Sequence, residues 1–139
     1  GPSEPAVMRL IPDETWAVIT IWQESRGEGQ AGRVAVAEVI RNRMRRKYSS
    51  DGSAAGTVLF PYQFSGWNTN DPNRVPAAKL DDADPTVRAC VAAWQQALGG
   101  SETAKGAVLY FNPRIVGRPS WADPDKRVAT VGAHEFFID

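Results

Sequence analysis

The 139 residues carry sixteen basic and sixteen acidic side chains, giving zero net charge, and 42% of them are hydrophobic. These values suit one globular domain with one core, and they give the chain as a whole no pull toward nucleic acid or an anionic membrane. No stretch has the uncharged apolar length of a membrane-inserted helix, and one cysteine (Cys90) with one histidine (His134) excludes an internal disulfide and the usual zinc clusters, so neither a metal nor another cofactor is expected.

Gly1-Pro2 resembles the scar of a tag-removing protease, and residues 1–10 read as a flexible lead-in to a single domain over 11–139, with room for a leader or a preceding domain upstream. Asp13, after Ile11-Pro12, is placed to cap a helix running to about Gly27. Trp16, Ala17, Val18, Ile19, Ile21 and Trp22 make that helix apolar around much of its circumference, which predicts a buried, central helix. A second helix is expected from about Gln30 to Lys47. Val36, Val39, Ile40 and Met44 face the core there, and Arg33, Arg41 and Arg45 point elsewhere. A short helix over Ala54–Leu59 stops before Pro61, and 61–84 reads as a long irregular loop. Asp84-Pro85 starts a further helix with an apolar stripe of Val87, Val91, Trp94 and Leu98, ended by Gly99-Gly100. Short extended pieces follow at Ala107–Phe111, Arg127–Val131 and Glu135–Ile138.

Glu24 is the first residue suited to chemistry. It lies in the last turn of the apolar helix, beside Ala17, Thr20 and Ile21. Burial and the negative end of the helix dipole both favour the protonated carboxyl, which is what protonating a leaving sugar oxygen needs. The alternative is a surface pair with Arg26 or Arg45. Glu28 follows four residues on, but Gly27 and Gly29 separate the two. It reads better as a cap or an arginine partner beside the site than as the second carboxyl of a two-carboxyl glycosidase. A sugar groove combines flat aromatic faces with hydrogen-bonding amides, and Gln63, Phe64, Ser65, Trp67, Asn68, Tyr110, Asn112 and Trp121 supply both from irregular segments. Tyr110 is placed to bond either an attacking hydroxyl or the Glu24 carboxyl. For Phe64, Phe111 and Trp121 the alternative is simple core packing. His134 has no nucleophile motif around Ser25 or Cys90 and reads as ordering the C-terminal segment near the groove. The basic run Arg41–Lys47 reads as a solvated helix end, not as a nucleic-acid surface.

Five pieces, in order, resemble the bacterial cell-wall hydrolase family typified by spore cortex-lytic enzymes. They are Glu24-Ser25-Arg26-Gly27-Glu28, the run Gly32–Arg43, Gln63-Phe64-Ser65, Tyr110-Phe111-Asn112-Pro113 with Trp121 beyond it, and Gly132-Ala133-His134-Glu135-Phe136-Phe137. The resemblance spans residues 13–138. It implies a mainly α, α+β, lysozyme-like domain whose groove is walled by the 61–84 and 107–123 loops. It also implies action on the bond between N-acetylmuramic acid and N-acetylglucosamine in peptidoglycan, by lytic transglycosylation with Glu24 as the one catalytic carboxyl. Glu28, Gln63, Phe64, Ser65, Tyr110, Asn112, Trp121 and His134 are the expected substrate contacts. The expected protein is a monomer acting at the bacterial wall, exported or phage-derived. A hydrolytic muramidase, with water as attacker, and a wall-binding module without catalysis are the alternatives.

Overall fold

The computed structural model describes residues 12–60, 63–67, 80–81 and 83–139. The expected lead-in and much of the 61–84 loop, including Asn68, lie outside them. Four helices and a small sheet make up the described chain: α1 (Asp13–Ser25), α2 (Gln30–Arg46), α3 (Ala54–Val58), α4 (Pro85–Leu98), β1 (Leu109–Phe111), β2 (Arg127–Val131) and β3 (His134–Phe137). The sheet is antiparallel in the order β1-β3-β2, with Tyr110 opposite Phe136 and an irregularity between Arg127 and Ala129.

Local chemistry accounts for most boundaries. The Asp84 carboxylate accepts from the amides of Thr86 (2.8 Å) and Val87 (3.2 Å), with Pro85 in the first turn of α4. Lys47, at φ 52°, ends α2 in the left-handed region. Asp13 does not cap its own helix. Pro12 holds the position before α1, and the Asp13 carboxylate accepts from the amides of Ala54 and Ala55, each at 2.9 Å. It therefore caps α3 and ties that helix to the start of α1.

The most enclosed helix is α2, not the one that carries Glu24. Every residue from Val34 to Arg43 is buried, whereas α1 buries Ala17, Thr20, Ile21, Gln23 and Ser25 and leaves its tryptophans half-buried. One side of α2 packs against α1, α4 and Phe64 through Val36, Ala37 and Ile40. The other side packs against Ala104, Ala107 and Phe136 through Ala35 and Val39. A third cluster joins Val108, Phe111, Phe137 and Trp121 on the sheet. On α4 the buried face is Val87, Cys90, Ala93, Trp94 and Ala97, so the expected stripe is rotated. Val91 and Leu98 stand exposed, because the small residues Cys90, Ala93 and Ala97 admit the close approach of the neighbouring helices.

The expected solvated helix end holds for Arg45, Arg46 and Lys47, which are exposed, but not for the start of that run. Arg41 and Arg43 are buried because their guanidinium groups find backbone partners. Arg41 Nη1 donates to the carbonyls of Ala97 and Ser101, both at 2.6 Å, and Arg43 Nε donates to that of Val108 at 2.6 Å. Asn42 Nδ2 donates to the carbonyl of Ala107 at 2.9 Å. Glu38, fully buried, accepts from Ser101 Oγ, Thr103 N, Thr103 Oγ1 and Ala104 N at 2.6–3.1 Å. These side chains fasten the segment 97–108 to α2. Glu38→Leu removes an acceptor from buried amides and is expected to cost about 3 kcal/mol. A lowered urea midpoint with unchanged slope is the readout; a wild-type midpoint contradicts the fastening role.

Candidate functional site

The last turn of α1 places Glu24 on a groove of about 310 Å³, lined by Glu24, Arg26, Glu28, Asn112, Ile115 and His134 together with Gln23, Ser25 and Gly27. Glu24 is half-buried. Tyr110, from the centre of β1, donates its hydroxyl hydrogen to Glu24 Oε1 at 2.6 Å. The phenol is held by rings on three sides: His134 at 5.1 Å, Phe136 at 5.5 Å and Phe64 at 6.5 Å between centroids. Burial, then the Glu24 charge and the hydrogen bond to it, push the Tyr110 hydroxyl well above its ordinary value of 10.0, so it stays a donor.

Arg43 lies behind this pair. Its guanidinium sits 4.9 Å from the Phe64 ring centre, and Nη1 donates to Gln63 Oε1 at 3.2 Å. Burial lowers its pKa, while the nearby Tyr110, Tyr48 and Glu24 act in the opposite direction. Arg43 was not singled out as a site residue from the sequence. Its place in the run Gly32–Arg43 is the only signal, and polarity argued for solvent.

Among the described residues Glu28 neither caps α2 nor pairs with an arginine. Gly29 precedes α2 with no side-chain cap bond. Glu28 Oε1 accepts from the amide of Ala133 at 3.0 Å, and Oε2 faces His134 Nδ1 at 2.8 Å. The carboxylate thus closes the β2–β3 turn against the α1–α2 connection. Gly132 permits this approach: it has φ +57°, and a Cβ there would lie 2.6 Å from Glu28 Oε1. The end of α1 is fixed from the other side by Arg33, whose Nη2 donates to the carbonyl of Arg26 at 2.7 Å. Arg26 itself stacks 4.3 Å from the Trp22 ring centre.

The expected groove residues therefore divide. Glu24, Glu28, Asn112 and His134 line the groove, and Tyr110 reaches it through Glu24. Asn112 Oδ1 also accepts from the amide of Arg114 at 2.9 Å, which shapes the loop after β1. Gln63 is turned to Arg43 instead. Phe64, 1% exposed, is core beneath Tyr110. Ser65 is exposed, in the turn Ser65–Trp67, and is not among the groove-lining residues. Trp121 packs edge-on against Phe111 (5.9 Å) and Phe137 (5.5 Å), so it belongs to the aromatic cluster on the sheet. Ile115, 78% exposed at the groove edge, has no periodic pattern that would have flagged it. A larger apolar hollow of about 580 Å³ lies by the first half of α1, between Trp16, Ile19, Trp94 and Leu98. Its acidic lining residues are Glu14 and Asp81.

Comparison with known proteins bears on the family and the fold. The chain is 30% identical over 116 residues to a spore cortex-lytic enzyme of Halalkalibacterium halodurans and 29% identical over 117 residues to that of Bacillus subtilis. Each alignment covers 84% of this chain but only 32% and 34% of the relative, so the chain spans about a third of the curated relatives it matches. Two solved structures superpose with a TM-score of 0.68. One is the catalytic domain of the germination-specific lytic transglycosylase SleB from Bacillus anthracis, 26% identical, matching 90% of this chain and 93% of that one. The other is the catalytic domain of the Bacillus cereus SleB protein, 27% identical, matching 90% and 88%. The fold is thus mainly helical, with a small sheet, and lysozyme-like. A family model described as Cell Wall Hydrolase matches residues 27–137, most of the length, and the chain belongs to that family.

Proposed function

We propose that the chain is a peptidoglycan glycosidase that cleaves between N-acetylmuramic acid and N-acetylglucosamine as a lytic transglycosylase, with Glu24 as its acid. The observation that carries this reading is the 2.6 Å bond from Tyr110 to Glu24 Oε1, inside a groove open to a strand. A carboxyl that protonates a leaving oxygen becomes a carboxylate, and a fixed donor stabilises the charge as it develops. Asn112 offers an amide, Ile115 an apolar surface and Arg26 a guanidinium at the α1 end, a combination suited to sugar rings bearing hydroxyls. The muramic residue's own hydroxyl then attacks the anomeric carbon and leaves an anhydro end.

The state of Glu28 favours this over a mechanism with two carboxyls. Its Oε1 accepts from the Ala133 amide and its Oε2 is buried 2.8 Å from His134 Nδ1, so the carboxylate is turned to the β2–β3 turn and is poorly placed as a nucleophile. The Bacillus anthracis neighbour, named as a germination-specific lytic transglycosylase, points the same way. Action at the bacterial wall follows from the substrate. We read the domain as a monomer, without a nucleic-acid partner, and among the described residues no helix is long and apolar enough to cross a membrane.

Glu24→Gln is nearly isosteric and is expected to fold while losing at least about 10²–10⁴-fold in the release of soluble fragments from purified wall; undiminished release contradicts the assignment. Tyr110→Phe keeps the ring packing and is expected to lower kcat more than it raises KM. The Tyr110 proton also has a signature in stability. Its folded-state pKa is raised, so its contribution is complete below about pH 10, the unfolded value, and is lost as pH rises beyond that. Ultraviolet titration is expected to show that Tyr110 ionises only as the chain unfolds in alkali. Tyr110→Phe removes that step, and a spectrum identical to wild type contradicts it.

A further inference from the structure

We propose that Asn112 and Ile115 form a clamp for the acetamido group of a sugar in the groove, so that N-acetylation of the strand decides which walls are cut. The inference rests on the glycosidase reading and deepens it, by naming the group recognised beside Glu24. Both residues line the groove together with Glu24. Ile115 is 78% exposed, more than any other large hydrophobic side chain among the described residues. Apolar surface held in water at the edge of a sugar groove is covered favourably by a methyl group and by no hydroxyl.

The side-chain amide of Asn112 has one orientation. Its Oδ1 accepts from the backbone N–H of Arg114 at 2.9 Å. An N–H can only donate, so the end turned to Arg114 is the oxygen and the other end is the NH2 group. Among the described residues that NH2 group donates to nothing, and Asn112 is only half-buried. The backbone carbonyl of Asn112 accepts from the amides of Ile115 and Val116, each at 3.1 Å, and Pro113 fixes φ at the first corner of the turn. One turn thus carries both groove contacts. Their spacing is set before a sugar arrives, and little freedom is lost on binding.

An acetamido group matches this pair. Its carbonyl oxygen accepts from the Asn112 NH2, and the methyl on the same carbon lies against Ile115. A ring hydroxyl satisfies the amide alone and leaves Ile115 in water. A free amine, protonated near neutral pH, brings a donor to a donor and has no methyl to offer. Both sugars of the peptidoglycan repeat carry the acetamido group. The clamp adds no covalent step, and Glu24 remains the acid.

The test uses three walls made from one batch of purified peptidoglycan. The batch is chemically de-N-acetylated, and portions are left as the amine or re-acylated with acetyl or formyl groups. The whole wild-type chain is expected to cut the acetyl wall at least about 10-fold better in kcat/KM than the formyl wall, which keeps the carbonyl and lacks the methyl. The amine wall is expected to be poorer still. Ile115→Ser, at an exposed position, is expected to erase the preference for acetyl over formyl. Asn112→Asp keeps the oxygen that holds the Arg114 amide and removes the donor, so it is expected to erase or reverse the preference for acetyl over amine. Each readout is a ratio between walls on one protein, which a merely less stable variant leaves unmoved. Wild-type indifference to the group on nitrogen, or wild-type ratios kept in either variant, overturns the clamp. An acetyl wall from which wild type releases nothing overturns the glycosidase reading, and the clamp with it; release with unmoved ratios overturns the clamp alone.

Discussion

A hydrogen bond of 2.6 Å between the last turn of α1 and the middle of β1 depends on almost everything else in the molecule. The helix and the strand are far apart in sequence, and neither contains what sets their relative position. That is done by α2, which stands between them. Successive side chains of α2 grip the approach to β1: Asn42 holds the carbonyl of Ala107 and Arg43 that of Val108, one residue before the strand begins. Arg33, near the start of α2, holds the carbonyl of Arg26 just past the end of α1. One rigid helix thereby fixes both ends of the contact, and Tyr110 meets Glu24 without a long search of loop conformations.

The groove is organised by polar side chains that reach distant segments of the chain. Glu28 closes the hairpin turn onto the α1–α2 connection, and Gln63 receives Arg43 beneath Phe64. Such bonds contribute little beyond what solvation in the unfolded chain offers, but each costs substantially when one partner is lost. They select one arrangement more than they add stability. This suits a site whose working atoms must be held to within a fraction of an ångström.

The elements were legible in the sequence where local chemistry decides them: Asp84-Pro85 at the start of α4, the periodic Val36, Val39 and Ile40 of α2, and the span of strand β2. So was the option that Tyr110 bonds Glu24, because few side chains suit a carboxyl in a sugar groove. The centrality of α2 was not. Glu38, Arg41, Asn42 and Arg43 look like a solvent face until the carbonyls and amides of 97–108 are brought to them, and no spacing within the helix announces partners some sixty residues away. Aromatic residues were ambiguous for a related reason. Phe64 and Trp121 have the composition of sugar platforms, yet the ring under Tyr110 and the ring on Phe111 and Phe137 are core, and only the tertiary neighbours tell the two uses apart. Glu28 was assigned near the groove, but its partner on the distant β2–β3 turn was not foreseen.

The central claim is that one carboxyl group, set on a groove by a tyrosine, breaks a glycosidic bond by delivering the strand's own hydroxyl to its anomeric carbon. Mass spectrometry of the fragments that the chain releases from defined peptidoglycan tests it most directly. The account predicts muramic ends lighter by one water, the anhydro form, from the first turnovers onward. Fragments with reducing ends only, or a strand left intact after prolonged digestion, would contradict it.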